Sequence, residues 1–232
     1  MRRLVYWIAA ALLLGSPLQA GERPVVVELF TSQGCSSCPP ADGFLHKLAA
    51  HEDVIALAMH VDYWDYIGWK DSFASPAYTA RQRAYAKTAQ RRVVYTPQMV
   101  INGTDDVVGN RPMDVVDVID RHRQLPDHVD LSVVRNGNRV IISARRVGPF
   151  EGPLTVQMLR YRPKSTVKIT RGENAGRTID YANVVTDLQV LGTWDGSEPL
   201  NVTAAAEGDA PVVVLMQQKN GSGLVEAAAL VE

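Results

Sequence analysis

From residue 24 onward the chain alternates short apolar runs with segments whose apolar residues recur every three or four positions. Residues 25–31 are apolar apart from Glu28, the pattern of a strand buried on both faces. Ala41, Phe44, Leu45 and Leu48 then recur at helical spacing, predicting an amphipathic helix that ends near His51. Pro39 and Pro40 fall in its first turn, where a missing N–H costs little. A second apolar run at 54–61 completes a strand–helix–strand unit, parallel and right-handed. Ser75-Pro76 reads as a cap and first-turn proline opening a helix to about Gln90. Met99-Val100-Ile101 and Val107-Val108 flank Asn102-Gly103-Thr104-Asp105, a hairpin turn. After Pro112, Val115, Val118, Ile119 and His122 mark one face of a third helix. The predicted order is β-α-β-α-β-β-α.

The helical period ends near residue 129. Residues 154–158 and 166–170 alternate apolar and polar positions, as half-buried strands do. Asn136-Gly137, Gly148-Pro149, Asp195-Gly196 and Asn220-Gly221 supply turns at intervals compatible with seven or eight strands. The expectation is an α/β domain over residues 21–126, then an antiparallel β-sandwich-like domain over 127–232, joined at Leu125-Pro126-Asp127. Residues 129–232 contain neither Cys nor His, so thiol or imidazole chemistry falls to the first part.

Ahead of both parts, Arg2 and Arg3 precede an apolar core at 4–14 and the stretch Leu18-Gln19-Ala20, the layout of a secretory signal peptide over residues 1–20. That core is shorter than the roughly 20 residues a membrane-spanning helix needs, and no later segment is long and apolar enough. The expectation is an exported protein with no membrane span in the mature chain, secreted or periplasmic, where disulfides persist. Without Arg2 and Arg3, the 24 basic residues become 22 against 25 acidic ones, a net charge of −3. That balance offers no electrostatic footprint for nucleic acid.

Cys35 and Cys38 are the only cysteines of the chain, placed where the first strand turns into the first helix. A helix N-terminus favours the thiolate, the nucleophile of disulfide exchange. A plain staple is the competing use. Closing a four-residue loop contributes only about 2 kcal/mol, less than half of what a loop of about 100 residues gives. The pair therefore reads as a thiol–disulfide oxidoreductase centre that needs no cofactor. Its partners would be protein or small-molecule thiols and disulfides, and an unidentified redox partner. Two alternatives use the same residues: a Cu(I) carrier holding the metal on two thiolates, and a redox-sensing binding module. Zinc fits less well, since it takes four ligands and the chain has two cysteines, with His60 a further 22 residues past Cys38.

This element order with Cys-x-x-Cys after the first strand resembles the thioredoxin fold. Tyr95-Thr96-Pro97-Gln98 stands directly before the third strand, where that resemblance implies a cis proline facing the cysteines, with Thr96 beside it. More closely, the chain resembles the secreted thioredoxin-like family catalogued as domain of unknown function 1223. The likeness rests on residues 28–42 (ELFTSQGCSSCPPAD), His60-Val61-Asp62-Tyr63-Trp64-Asp65, residues 95–98 and Arg171-Gly172-Glu173-Asn174. Gly34 stands where thioredoxin has Trp, and Ser36-Ser37 replaces its Gly-Pro.

Cys35 is expected as the attacking thiolate and Cys38, one turn into the helix, as the resolving one. Glu28, near the place of thioredoxin's buried acid, either shuttles the proton of Cys38 or is an ordinary strand-end carboxylate. His60, Asp62 and Trp64 leave the second strand at the edge where ligands bind in open α/β sheets, and with Thr96 are candidate substrate contacts.

Overall fold

The computed structural model describes residues 23–232, so the leader expected over 1–20 lies outside the described residues. β1 (Val25–Thr31), α1 (Pro39–Leu48), β2 (Val54–His60), α2 (Pro76–Thr88), β3 (Gln98–Ile101), β4 (Asp105–Val108) and α3 (Pro112–Arg123) follow the expected order. β1 and β2 pair in parallel, with Val25 opposite Val54 and Thr31 opposite His60. β3 is antiparallel to β1, and β4 to β3. Alternation along β1 sorts the helices. Val25, Val27 and Leu29 share a core with Ala41 and Leu45 of α1 and Val115 and Ile119 of α3, while Val26 and Phe30 meet Tyr78 and Tyr85 of α2. A strand covered on both faces has no solvent side, hence its nearly continuous apolar run. The Ser75 hydroxyl caps α2 by accepting from the Ala77 N–H at 3.2 Å.

Seven further strands follow: β5 (Val129–Asn136), β6 (Arg139–Arg146), β7 (Leu154–Lys168), β8 (Thr178–Trp194), β9 (Leu200–Ala205), β10 (Val212–Gln217) and β11 (Val225–Val231). Four of them extend the first sheet into a mixed, mostly antiparallel one of order β11-β10-β7-β8-β2-β1-β3-β4, and β5-β6-β9 form a small second sheet. The expected self-contained sandwich over 127–232 is thereby corrected: β8 joins β2 in parallel, with Val184 opposite Ala58, so one sheet passes through both parts of the chain. β2 is buried at every position, and its outer backbone groups need a partner that water cannot supply. The two sheets pack face to face at the far end, where Val140, Ile142 and Ala144 of the small sheet share a core with Met158, Val212, Val214 and Met216. Val213 and Leu215 belong instead to the α2 core, which is why β10 is buried at all its positions.

The large sheet curls about α2. The Tyr78 hydroxyl donates to the Val185 carbonyl at 3.1 Å, and Val225 N–H, opening β11, donates to the Asn102 carbonyl just past β3 at 2.9 Å. Inside the curl, Arg81 forks onto Glu28 (Nε to Oε1 2.7 Å, Nη2 to Oε2 3.1 Å) and also donates to Gln157 and Gln217. Tyr85 donates to the same carboxylate. Burial opposes the arginine's charge, but Glu28 and Tyr85 outweigh it and raise the Arg81 pKa. The polar interruption of β1 is thus the centre of a buried network joining β1, α2, β7 and β10. Among the described residues no helix is long and apolar enough to cross a membrane.

Candidate active site

Cys35 and Cys38 form a disulfide with Cα atoms 5.4 Å apart. Because Pro39 and Pro40 occupy the first positions of α1, Cys38 is its N-cap rather than a residue one turn inside it, and Cys35 belongs to the preceding turn. Cys38 N–H donates to the Cys35 carbonyl at 3.2 Å, and the Cys38 carbonyl accepts from Ala41 and Asp42 N–H at 2.9 and 3.1 Å. The bridge therefore lies at the partially positive end of a ten-residue helix, where a released thiolate is favoured. Both cysteines are 0% exposed, whereas Ser36 and Ser37 between them are exposed.

Around the same end of α1 lies a buried group of ionisable side chains. Asp42, four residues past Cys38 and so on its face of the helix, accepts from the Thr31 hydroxyl at 2.7 Å, and its other carboxylate oxygen has no partner among the described residues. His60 Nδ1 meets Asp71 Oδ2 at 2.7 Å, leaving Nε2 without a partner. The Tyr181 hydroxyl, from β8, is also unpartnered, and its ring stands 4.9 Å from that of His60. Burial raises the Asp42 pKa to about 7, against the opposing pull of His60 and the Thr31 hydrogen bond. Burial would also raise Asp71, but His60 and the N–H groups of Gln33 and Phe73 outweigh it and hold Asp71 below the ordinary carboxylate value.

Two segments pack on the turn that carries the bridge. From the loop after β2, Trp69 Nε1 donates to Gln33 Oε1 at 2.8 Å, and Asp71 accepts the Gln33 N–H at 2.8 Å. A Cβ on Gly34 would lie 3.1 Å from Ile67 Cδ1 and 3.2 Å from Trp64 Cβ, so the loop rests on the backbone there. From the β7–β8 connection, Asn174 Nδ2 donates to the carbonyls of Gln33 (3.0 Å) and Cys35 (2.9 Å), and Ser36 N–H points to Glu173 Oε2 at 3.4 Å. Asn110 Nδ2 holds the Ser37 carbonyl at 2.8 Å.

The structure brings Cys35, Cys38, Trp64 and His60 into this neighbourhood. Trp64 Nε1 donates to Thr96 Oγ1 at 2.8 Å, tying the β2 loop to the residue before Pro97. The Thr96–Pro97 bond is cis, and the Pro97 and Ala41 side chains both crowd Gly109, placing Pro97 beside the start of α1. His60 is fully buried, underneath the site rather than lining its surface. Two expected residues are turned elsewhere. Asp62 accepts from Thr79 Oγ1 at 2.6 Å, at the start of α2. Glu28 faces α2, on the side of β1 away from α1, because strand residues alternate and Thr31 is the one that reaches Asp42. Sequence reasoning passed over Asp42, Asp71, Tyr181, Glu173 and Asn174 as site residues. Asp42 carried a positional signal, its spacing of four from Cys38, and Glu173 and Asn174 lie in one of the motifs on which the family likeness rests. Among the described residues no three His, Cys, Asp or Glu side chains cluster as metal ligands.

A family model described as a protein of unknown function (DUF1223) matches residues 26–217. The fold is similar to the crystal structure of a protein from Agrobacterium tumefaciens, with 36% identity and a TM-score of 0.76, covering 89% of this chain and 93% of that one. No curated protein matches the chain.

Proposed function

Starting from a chain that belongs to the DUF1223 family of proteins of unknown function, we propose that it is a thiol–disulfide oxidoreductase of the thioredoxin-like kind whose centre is the Cys35–Cys38 pair. The observation that carries this reading is Asp42: a buried carboxyl with a free oxygen, on the face of α1 that starts at Cys38, and with a pKa raised to about 7. A staple has no use for an acid poised near neutrality beneath it, whereas exchange needs a proton delivered to the departing sulfur. The order β2-β1-β3-β4 around the pair, with Pro97 opening β3, supports the thioredoxin-like assignment.

With a dithiol substrate, one substrate thiolate attacks Cys35 Sγ and forms a mixed disulfide. The Cys35–Cys38 bond breaks, and Cys38 leaves as a thiolate that takes the proton of the Asp42 carboxyl. The second substrate thiolate then attacks the substrate sulfur of the mixed disulfide, which forms the substrate disulfide and releases Cys35 as a thiolate. The substrate loses two electrons to the protein, and the reverse sequence reduces a substrate disulfide. Asp42 replaces Glu28 in the proton role. Partners are proteins or small molecules bearing thiols or disulfides, together with a redox partner that resets the pair. The compartment proposed is outside the cytoplasm, on the reading of residues 1–20 as a leader.

Insulin reduction and disulfide reshuffling, run beside the Cys35→Ser/Cys38→Ser protein, test the reading. Wild-type activity is expected to vanish in the double variant and to fall by about 100-fold in Asp42→Asn at neutral pH. Equal rates for wild type and double variant would sink it, and copper retained after reducing purification would favour a Cu(I) carrier instead.

A further inference from the structure

The oxidoreductase reading requires a sulfur that another molecule can reach, yet both cysteines are 0% exposed while Ser36 and Ser37 between them are exposed. What closes over them from the second part of the chain is slight. The connection between β7 and β8 is a compact turn closed on itself, with Ala175 N–H on the Gly172 carbonyl at 3.1 Å and Gly176 N–H on that of Ile169 at 2.8 Å. Of residues 171–177 only Asn174 is buried. The turn's polar hold on the cysteine turn consists of the two Asn174 amide bonds to the Gln33 and Cys35 carbonyls and the Glu173 contact with Ser36 N–H. Gly172, at φ +75°, meets the other cover, since a Cβ there would lie 3.2 Å from Trp69 Cβ. Ile169, 0% exposed, anchors the base of the turn, but beyond it the tip is held by polar contacts and Asn174 Oδ1 is buried without a partner among the described residues, so the closed position of the tip is weakly held.

Resting on the oxidoreductase reading, we infer that Glu173 and Asn174 form a latch that shields the disulfide and lifts before either sulfur exchanges, and that the partner able to replace it is an extended polypeptide. The chemistry of the latch identifies that partner. Asn174 presents amide N–H groups to two main-chain carbonyls, and Glu173 presents an acceptor oxygen to a main-chain N–H. An extended peptide backbone offers the same donors and acceptor at alternating positions, as in strand addition. A small thiol offers neither and must wait for spontaneous opening.

The test uses the full oxidised chain and reads the pseudo-first-order rate at which dithiothreitol reduces the Cys35–Cys38 bond. Asn174→Ala removes two hydrogen bonds, and its rate is expected to rise about 10- to 30-fold over wild type, with Glu173→Gln giving a smaller rise. Reduced, unfolded ribonuclease, which carries its own backbone groups, is expected to oxidise at rates that differ by less than about threefold between wild type and Asn174→Ala. A wild-type disulfide that dithiothreitol reduces as fast as a Cys-Ser-Ser-Cys peptide, or an Asn174→Ala rate equal to wild type, would overturn the latch. An equal gain for both reductants would overturn its polypeptide specificity. If Asn174→Ala fails to fold, hydrogen exchange of the Cys35 and Ser36 amides in wild type replaces it: exchange by local opening supports the latch, and exchange only by global unfolding refutes it. Dithiothreitol reduction and hydrogen exchange read access alone, so the latch can stand or fall independently of insulin reduction, while the ribonuclease arm tests its polypeptide specificity.

Discussion

Thr31 Oγ1 donates to Asp42 Oδ1 at 2.7 Å, tying the last residue of β1 to the helix that Cys38 caps. This bond fixes one oxygen of the buried carboxyl and leaves the other free beside His60 and Tyr181.

Asp42 makes stability depend on pH with a definite sign. Its carboxyl titrates near 7 when folded against an ordinary value of 3.8, so between those values the folded chain holds a proton that the unfolded chain has lost. The stabilising contribution is complete below about pH 4 and is lost as pH rises through 7. Asp42→Asn should therefore be more stable than wild type at pH 8 by roughly 2–4 kcal/mol and nearly equal to it at pH 4. Urea unfolding at the two pH values measures the difference.

Asp71 acts in the opposite sense. Its pKa is depressed, so its contribution is present above the unfolded carboxylate value and disappears as pH falls through the lower folded one. Asp71→Asn should flatten the acid limb of the stability profile. It should also free the Gln33 turn, seen as faster exchange of the Gln33 and Phe73 amides, both of which donate to this carboxylate.

Glu28 should matter for folding and not for the redox centre. Glu28→Ala leaves Arg81 buried without its counter-ion and is expected to cost about 3–5 kcal/mol. Replacing both, as Glu28→Leu with Arg81→Met, should recover much of that loss. In neither protein should the reduction potential of Cys35–Cys38 move by more than a few millivolts, as measured against glutathione. A large shift would return Glu28 to the site.

Gly34 is the point at which the β2 loop touches the cysteine turn. An added methyl would crowd the stiff Cβ of Trp64 and the flexible end of Ile67. Gly34→Ala should cost about 1–2 kcal/mol. Adding Ile67→Val, which deletes the crowding Cδ1 atom, should restore part of it in thermal unfolding.

The helices and strands of residues 25–123 were legible because each rests on local periodicity, and the prolines at positions 39, 76 and 112 announce three helix starts. The cysteine pair at the first of these starts was equally legible. The path of the sheet was not. β7 and β8 alternate like strands of an independent sandwich, and nothing local says that Val184 will pair with Ala58.

What the sequence determined on its own is the order of the elements and the placing of two thiols at a helix terminus, since both follow from spacing within a few residues. Which buried acid serves those thiols, and what covers them, only the tertiary structure decided. Alternation puts Glu28 and Thr31 on opposite sides of β1, but which helix packs on which side is set by contacts between distant segments. Asn174 reaches Cys35 across 139 positions of chain, a distance that no local pattern encodes.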